Sequence, residues 1–326
     1  MKVTVLGCGR WASFHAWYQA TVLKNDVLIW GRDDEIYKEI STTYKNSFLE
    51  LPKTVNFTTD LRQALDHAEY QIIVISAQAM PQFSASIGEY NPKNKIFVLC
   101  MKGIIDATGE RLSQVLKRHV DKTNQIAVWV GPGHVQEFVR GVPNVMIVDC
   151  KKIKTRVRIV EDFKSPLVRL YKGGNDLIGV EIGAAAKNVL GIIAGMLDAS
   201  GHECLKGALI ARGAYEVASL IVAMGGRKFT AYGLSHLGDY EATLFSKNSC
   251  NRRYGESFIR GEKPTYLAEG VATSKALHLL ATRHKVDMPI CELCYQILHQ
   301  GKNPKEGMLE LFERESGKEF GKKFWV

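Results

Sequence analysis

A lysine and an asparagine, Lys187 and Asn188, lie side by side in the stretch 180–197, which otherwise consists almost wholly of small and apolar residues. Burying an ammonium group without a partner costs several kcal/mol, so a lysine in such a segment either extends its amine to the surface or has a chemical task. Burial also lowers the pKa of an amine toward neutrality, which suits proton transfer. We interpret Lys187 as the centre of a catalytic site.

A glycine-rich turn in segment 7–12, Gly-Cys-Gly-Arg-Trp-Ala, has the spacing G-x-G-x-x-A and follows the first apolar run of the chain. Gly7 permits a tight turn, Gly9 lets backbone amides approach a pyrophosphate, and Ala12 allows a helix to pack closely on a strand. The alternative is a purely structural glycine turn. Its place at the start of an alternating series of strands favours dinucleotide binding.

The end of the second predicted strand bears on the choice of cofactor. An acid is expected there for the ribose hydroxyls of NAD, whereas this chain has Gly31-Arg32. Arg32 suits the 2'-phosphate of NADP, although Asp33 and Asp34 follow and could serve NAD instead. The alternative is that Arg32 is an exposed arginine at a helix start without a role in cofactor binding. We predict NADP or NAD as the cofactor, with NADP favoured.

Two further segments follow predicted strands, on the side of a parallel sheet where ligands bind. One is Met-Lys-Gly-Ile at 101–104, which contains Lys102; the other is Gly-Pro-Gly-His at 131–134. The Gly-Pro-Gly turn can present bare backbone amides to an anion. Lys102 precedes a glycine on the crevice side, which favours a site residue over an ordinary surface lysine.

The elements that must position these residues alternate between strand and helix patterns in the first half. Predicted strands are 2–6, 26–30, 71–75, 95–99 and 126–130, with 145–149 and 167–170 as further edge strands. From about residue 179 the apolar residues recur at helical spacing. We predict the α/β class, with an N-terminal Rossmann-type doubly wound parallel sheet (1–178) followed by an all-helical C-terminal domain (179–326). The site is expected in the seam between them.

Composition excludes several other classes. A length of 326 residues is sufficient for two domains. A hydrophobic fraction of 46% without low-complexity tracts indicates a soluble globular protein. The stretch 180–197 contains Glu181 and Lys187, which argues against a membrane span. The net charge of +9 is dispersed, so no nucleic-acid partner is predicted.

The seven cysteines are odd in number and scattered, which favours reduced thiols and, with no signal-peptide core at the N-terminus, a cytoplasmic location. Cys291 and Cys294 form a lone C-x-x-C, which we interpret as two small residues one helical turn apart rather than as a zinc site. No metal is expected. The expected partner is a small molecule, and a homodimer remains open.

Taken in order, the motifs resemble those of the bacterial-type NAD(P)-dependent glycerol-3-phosphate dehydrogenases along nearly the whole chain. The resemblance rests on segments 7–12, 101–104, 131–133, 180–189, 238–239 (Gly-Asp), 251–253 (Asn-Arg-Arg) and 269–271 (Glu-Gly-Val). It implies hydride transfer between NAD(P)H and a small phosphorylated ketone or alcohol, with a role in glycerophospholipid metabolism.

The resemblance also implies a role for each matching position. Lys187 becomes the catalytic acid or base, and Lys102 contacts both substrate and cofactor. The substrate pocket then comprises Gly131, Gly133, Asn188, Asp239, Thr243, Ser249, Cys250 and Asn251. The cofactor positions are Gly7, Gly9, Arg10, Trp11, Arg32, Lys102 and Val135, with Leu267 and Glu269 near the nicotinamide.

Physical chemistry agrees with the role of Lys187. Hydride reduction of a ketone leaves negative charge on its oxygen, which a cationic lysine stabilises and protonates. In the reverse direction, neutral Lys187 accepts the hydroxyl proton. Burial and the neighbouring Lys102 are expected to lower its pKa, and Asp239 to raise it. Asn188 can hold the oxygen or orient the lysine without adding charge.

Departures from the family pattern cluster on the substrate side. Cys250 stands where the family has the arginine that grips the substrate phosphate, and losing such a contact costs about 1.5 to 3 kcal/mol. Gly133 replaces a serine, His134 a phenylalanine and Val135 an alanine. Both lysines of the hydride machinery are kept.

Three interpretations follow. The favoured one is a glycerol-3-phosphate dehydrogenase whose phosphate contact has moved to Arg252, Arg253 or Lys206. The second is a family member that acts on another small hydroxy or keto compound. The third is a nucleotide-binding protein without turnover, which the retained buried lysine argues against.

Overall fold

Eight strands form one sheet in a computed structural model that describes residues 1–264, 266–315 and 318–320. The strands are β1 (Lys2–Leu6), β2 (Asp26–Trp30), β3 (Asn56–Thr58), β4 (Tyr70–Ile73), β5 (Ile96–Leu99), β6 (Gln125–Val130), β7 (Asn144–Cys150) and β8 (Val168–Lys172). Their spatial order is β3-β2-β1-β4-β5-β6-β7-β8. The five predicted inner strands and the two predicted edge strands are confirmed, with ends that differ by one or two residues.

Helices flank the sheet and then form the second half of the chain by themselves. In the first half they are α1 (Arg10–Trp17), α2 (Glu35–Thr43), α3 (Leu61–His67), α4 (Met80–Glu89), α5 (Leu112–His119), α6 (Val135–Val139) and α7 (Ile153–Phe163). The later ones are α8 (Leu177–Ala199), α9 (Lys206–Ala223), α10 (Cys250–Ile259), α11 (Glu269–His284), α12 (Pro289–Gln300) and α13 (Pro304–Glu313). The predicted fold class, a Rossmann-type sheet followed by a helical part, is confirmed.

Two details of the sheet differ from the prediction. The short strand β3 was missed, because three residues are too few to produce a periodic pattern. β7 pairs with β6 in antiparallel orientation, so the sheet is not wholly parallel. The chain folds back through the segment that contains α6, and a Cβ on Gly131 would lie 2.8 Å from the Cα of Met146 in β7. β7 and β8 pair in parallel with each other, so two strands at one end of the sheet run opposite to the rest.

The crevice for ligands lies where the strand order reverses, between β1 and β4. The chain leaves β1 through Gly7, whose φ of +130° is unfavourable for residues with a side chain. A Cβ at this position would lie 2.1 Å from the carbonyl oxygen of Val74, just after β4. Glycine is therefore required here for both conformation and space.

The central helix of the second half is α8, in which every residue from 179 to 197 is buried. It is long and apolar enough to cross a membrane, but 89% of the relevant window is buried inside the protein. Its contact with α10 is unusually close, since a Cβ on Gly195 would lie 1.8 Å from Arg252 O. The apolar character of α8 is therefore explained by packing against other helices.

The connection between the sheet and α8 is fixed by buried carboxylates. Asp149 in β7 accepts hydrogen bonds from Arg156 (2.8 Å) and from the backbone N–H of Asp176 (2.7 Å). Asp176 in turn caps α8 by accepting from Gly179 N at 3.0 Å. α8 begins at Leu177, whereas the domain boundary predicted at residue 178 stays a prediction.

Candidate active site

Lys187 lies at the centre of α8 and is only 4% exposed. Its Nζ forms an ion pair with Asp239 Oδ2 and donates a hydrogen bond to Thr243 Oγ1 at 2.8 Å. Asp239 and Thr243 come from two consecutive short turns, Leu237–Asp239 and Glu241–Phe245, that pack against α8. These three residues, predicted from the sequence as site residues, are therefore in direct contact.

Lys102 reaches the same carboxylate from the opposite side of the seam. It follows β5, and its Nζ donates to Asp239 Oδ2 at 2.8 Å and to Gly131 O at 2.7 Å. The ammonium group also lies 5.4 Å from the centre of the Trp11 ring, in the glycine-rich turn. Lys102 thus joins the predicted cofactor turn, the Gly-Pro-Gly turn and Asp239.

The electrostatics favour a lysine that titrates near neutral pH. Burial lowers the pKa of Lys187 from 10.5 to about 7; the carboxylate of Asp239 opposes this effect and the charge of Lys102 adds to it. An ammonium group has three N–H donors. Lys187 and Lys102 each use two of them in the contacts above, so each has one donor left for a ligand.

Asn188 and Asn251 form a chain of amides across the seam. Asn188 Nδ2 donates to Lys102 O and its Oδ1 accepts from Asn251 Nδ2, both at 3.0 Å. Asn251 Oδ1 then accepts from Gly270 N, at the start of α11, at 2.9 Å. Both ends of the Asn188 amide are therefore bonded to protein groups. Its bond to the Lys102 carbonyl favours a role in orienting the Lys102 segment.

His236 and Tyr240 lie behind the cluster and were missed in the sequence. His236 Nδ1 lies 2.8 Å from Gly183 O and therefore carries the proton, while its Nε2 accepts from Tyr240 OH at 2.6 Å. Burial lowers the pKa of His236 to about 4, so the ring stays neutral. Neither residue belongs to a recognisable motif; their effect is to anchor the turn that carries Asp239.

His134 is a second site residue that was noted only as a departure. It is 9% exposed, and its Nε2 is buried without a hydrogen-bond partner among the described residues. Burial is the main cause that lowers its pKa; the charge of Glu137, and less so that of Asp239, opposes this effect, and the charges of Arg10 and Lys102 add to it. A neutral imidazole therefore borders the lysine cluster, and it precedes Val135, which is fully buried.

The glycine-rich turn has the shape that a dinucleotide needs. Gly9 is the N-cap of α1, and a Cβ on Gly9 would meet no atom within 4 Å, so the space above it is open. The first turn of α1 contains no acidic residue that would repel phosphate. The residues present fit a pyrophosphate at this position.

The other predicted cofactor residues differ in their surroundings. The Arg32 side chain is 80% exposed and lies 3.6 Å from Asp34, at the edge of the crevice. Glu269 is largely buried, which raises its pKa, and its carboxylate lies beside Gly103. Leu267 is 67% exposed and lies outside the buried cluster.

Two of the three candidate phosphate contacts near Cys250 are already paired with acidic side chains. Ser249 caps α10 by accepting from Arg252 N at 3.3 Å, and Cys250 is the first residue of that helix. The side chains of Arg252 and Lys206 both pair with the buried carboxylate of Asp198. Arg252 also pairs with Glu256, so two carboxylates already balance these two positive charges. Arg253, in contrast, contacts Cys250 Sγ at 3.4 Å.

The described residues hold no group of three metal-binding side chains. Cys291 and Cys294 are both buried on α12 and lie one helical turn apart, which agrees with their interpretation as two small residues of a helix. The site thus combines a dinucleotide turn on a Rossmann-type sheet with a buried, titratable lysine on a helical domain. Fold and site together define a nicotinamide-nucleotide-dependent oxidoreductase of two parts.

Comparison with known proteins specifies the family. Residues 2–156 match the family model of the N-terminus of NAD-dependent glycerol-3-phosphate dehydrogenase, and residues 176–309 match that of its C-terminus. The chain belongs to this family.

Relatives match over nearly their full length. A glycerol-3-phosphate dehydrogenase (NAD(P)+) of Thermoanaerobacter sp. (strain X514) is 33% identical over 97% of this chain and 98% of its own. One from Listeria innocua is 35% identical, with 94% of both chains covered. The crystal structure of glycerol-3-phosphate dehydrogenase from Coxiella burnetii superimposes with a TM-score of 0.89 at 25% identity, covering 96% of this chain and 99% of that one.

Proposed function

We propose that the protein catalyses reversible hydride transfer between NAD(P)H and dihydroxyacetone phosphate, with sn-glycerol 3-phosphate as the alcohol. The observation that carries this proposal is the buried cluster of Lys187, Asp239 and Lys102, which faces the cofactor turn across the seam. The family and its curated relatives support the same substrate pair. NAD(P)H supplies the hydride to the carbonyl carbon.

Lys187 donates or accepts the proton that accompanies hydride transfer. In the direction of reduction, its free N–H donates to the ketone oxygen, stabilises the developing negative charge and transfers the proton as the alcohol forms. In the direction of oxidation, the neutral amine accepts the hydroxyl proton. A pKa of about 7 places both forms within reach near neutral pH.

Asp239 and Lys102 position the substrate around that amine. Asp239 Oδ2 is engaged by both lysines, whereas its buried Oδ1 has no donor among the described residues and can accept from a substrate hydroxyl. The remaining N–H of Lys102 can donate to the same ligand. His134, as a neutral imidazole, adds a polar group without changing the charge of the site.

The cofactor contacts are proposed from the crevice. Gly7 and Gly9 shape the turn, the N-terminus of α1 faces the pyrophosphate, and Arg32 offers a guanidinium to the 2'-phosphate of NADP. Glu269, whose carboxylate lies beside Gly103, is a further proposed cofactor contact. For the location we propose the reducing cytoplasm, because all seven cysteines are free thiols.

A rate comparison tests the proposal. Oxidation of NAD(P)H is followed by its absorbance with dihydroxyacetone phosphate and, separately, with dihydroxyacetone. The proposal expects kcat/KM to be at least about tenfold higher for the phosphorylated ketone, since a charged contact contributes that much. Equal rates on both compounds would refute a phosphorylated substrate.

The second candidate is a family member that reduces a different small ketone. The observation in its favour is Cys250 at the position of the family's phosphate-binding arginine. Gly133 and His134 stand at two further positions that differ from the family pattern. This candidate expects an unphosphorylated or bulkier hydroxyketone to be the better substrate in the same assay.

A further inference from the structure

The end of the substrate pocket that binds the phosphate should contain a cation without a carboxylate partner. Lys187 and Lys102 share Asp239, and Arg252 and Lys206 share Asp198. Among the arginine and lysine residues of α1 and α10, all of which the structure describes, Arg10 and Arg253 have no acidic partner. Each of them carries a charge that a bound anion can compensate.

Arg10 is the better placed of the two. It is the first residue of α1 and is partly buried, whereas Arg253 is exposed and stacks on the ring of Tyr266 at 4.6 Å. One nitrogen of Arg10, Nη2, donates to Gln136 at 2.8 Å, and the guanidinium lies 4.8 Å from the centre of the Phe48 ring. Both contacts hold the side chain in place without neutralising it.

A second observation concerns the guanidinium of Arg10. Its Nε is buried and has no hydrogen-bond acceptor among the described residues. A buried N–H of a guanidinium without an acceptor is costly, and such groups are normally paired with an anion. Arg10 directly precedes Trp11, whose ring lies 5.4 Å from Lys102 Nζ, and its acceptor Gln136 lies two residues after His134, so Arg10 borders the lysine cluster. Burial lowers the pKa of Arg10.

We propose that Arg10 is the residue that grips the phosphate of the substrate, in place of the arginine that Cys250 replaces. In this proposal the guanidinium is supplied by the first residue of α1 instead of the first residue of α10. This assignment rests on the proposed function insofar as it assumes that the substrate carries a phosphate.

The test measures a substrate preference, because Arg10 also belongs to the cofactor turn. For Arg10→Gln, the ratio of kcat/KM for dihydroxyacetone phosphate to that for dihydroxyacetone should fall about ten- to hundredfold. Arg10→Lys should lose part of the preference, since it keeps the charge but not the fork. The double variant Arg10→Gln with Cys250→Arg should regain it. Arg62→Gln, on the exposed face of α3, is the control and should keep the wild-type ratio.

The results that would overturn the proposal are distinct. An unchanged ratio in Arg10→Gln, or a loss confined to the affinity for NAD(P)H, would assign Arg10 to the cofactor alone. Binding of inorganic phosphate to the NAD(P)H complex, measured by calorimetry, separates this result from a failure of the proposed function. Phosphate binding that depends on Arg10, without turnover of dihydroxyacetone phosphate, would refute the substrate and keep the site; equal turnover of the two ketones together with no phosphate binding would refute both.

Discussion

The amine of Lys187 and the carboxylate of Asp239 form an ion pair in which both side chains are almost completely buried. Removing one partner of such a pair leaves an unpaired buried charge, which is strongly destabilising. Here, however, Lys102 contacts the same carboxylate oxygen at 2.8 Å. The carboxylate would therefore remain paired if Lys187 lost its charge, which is what a proton-transferring lysine requires.

Replacement of Lys187 by alanine is the direct test of its role. We expect kcat to fall by about 10²- to 10⁴-fold, the usual contribution of a general acid or base, while the affinity for NAD(P)H changes little. Lys95→Ala is the matched control, because Lys95 is a half-buried lysine whose Nζ donates only to Ala68 O at 2.9 Å, away from the site. A Lys187→Ala variant that keeps most of its rate would disprove the assignment.

The pH dependence should follow the lowered pKa of Lys187. Reduction requires the protonated amine, so its rate should decline as pH rises through about 7, and oxidation should rise over the same range. Because the charge of Asp239 raises this pKa and that of Lys102 lowers it, the midpoint should move down in Asp239→Asn and up in Lys102→Met. Stopped-flow or steady-state pH profiles give the midpoints, and shifts of opposite sign would contradict the electrostatic account.

Gly7 and Gly9 are predicted to respond differently to alanine. Gly7→Ala places a methyl group 2.1 Å from Val74 O at a φ of +130°, so it should destabilise the fold by at least about 1 to 3 kcal/mol. Gly9 is in extended backbone with open space, so Gly9→Ala should leave the melting temperature unchanged and weaken NAD(P)H binding. Thermal unfolding and fluorescence titration of both variants check this, and full cofactor affinity in Gly9→Ala would argue against a pyrophosphate there.

Arg32 is predicted to select the 2'-phosphate of NADP. Arg32→Gln should weaken NADPH binding about tenfold and leave NADH binding nearly unchanged, because one exposed charged contact is lost. The difference should shrink at high salt, since the side chain is exposed. Equal changes for both nucleotides in a binding titration would remove Arg32 from the cofactor site.

Most of the fold follows from local patterns that the sequence displays. The short β-rich runs and the apolar helix α8 have strong periodicity, and each is found where it was predicted. β3 has only three residues, and the antiparallel direction of β7 depends on how the chain turns after Gly131. Neither leaves a periodic signal, because strand direction is decided by tertiary connections.

Lys187, Lys102 and Asp239 could be predicted as candidate site residues because each belongs to a recognisable motif. The site was not predictable where a residue acts through a partner distant in sequence. Arg252 was a candidate for the phosphate because of its charge, yet it pairs with Asp198, 54 residues away. A sequence reports the charge of a side chain and not whether another side chain already neutralises it.

Lys102 is the cation that the sheet half contributes to the cluster, so any motion that opens the seam moves it away from Asp239. Water then reaches Lys187, and both causes that lower its pKa are weakened. If the seam opened, the pKa of Lys187 would return toward its ordinary value, so the protein would take up a proton in the range between about 7 and 10.5. Opening of the seam and proton binding at Lys187 would thus be one linked equilibrium.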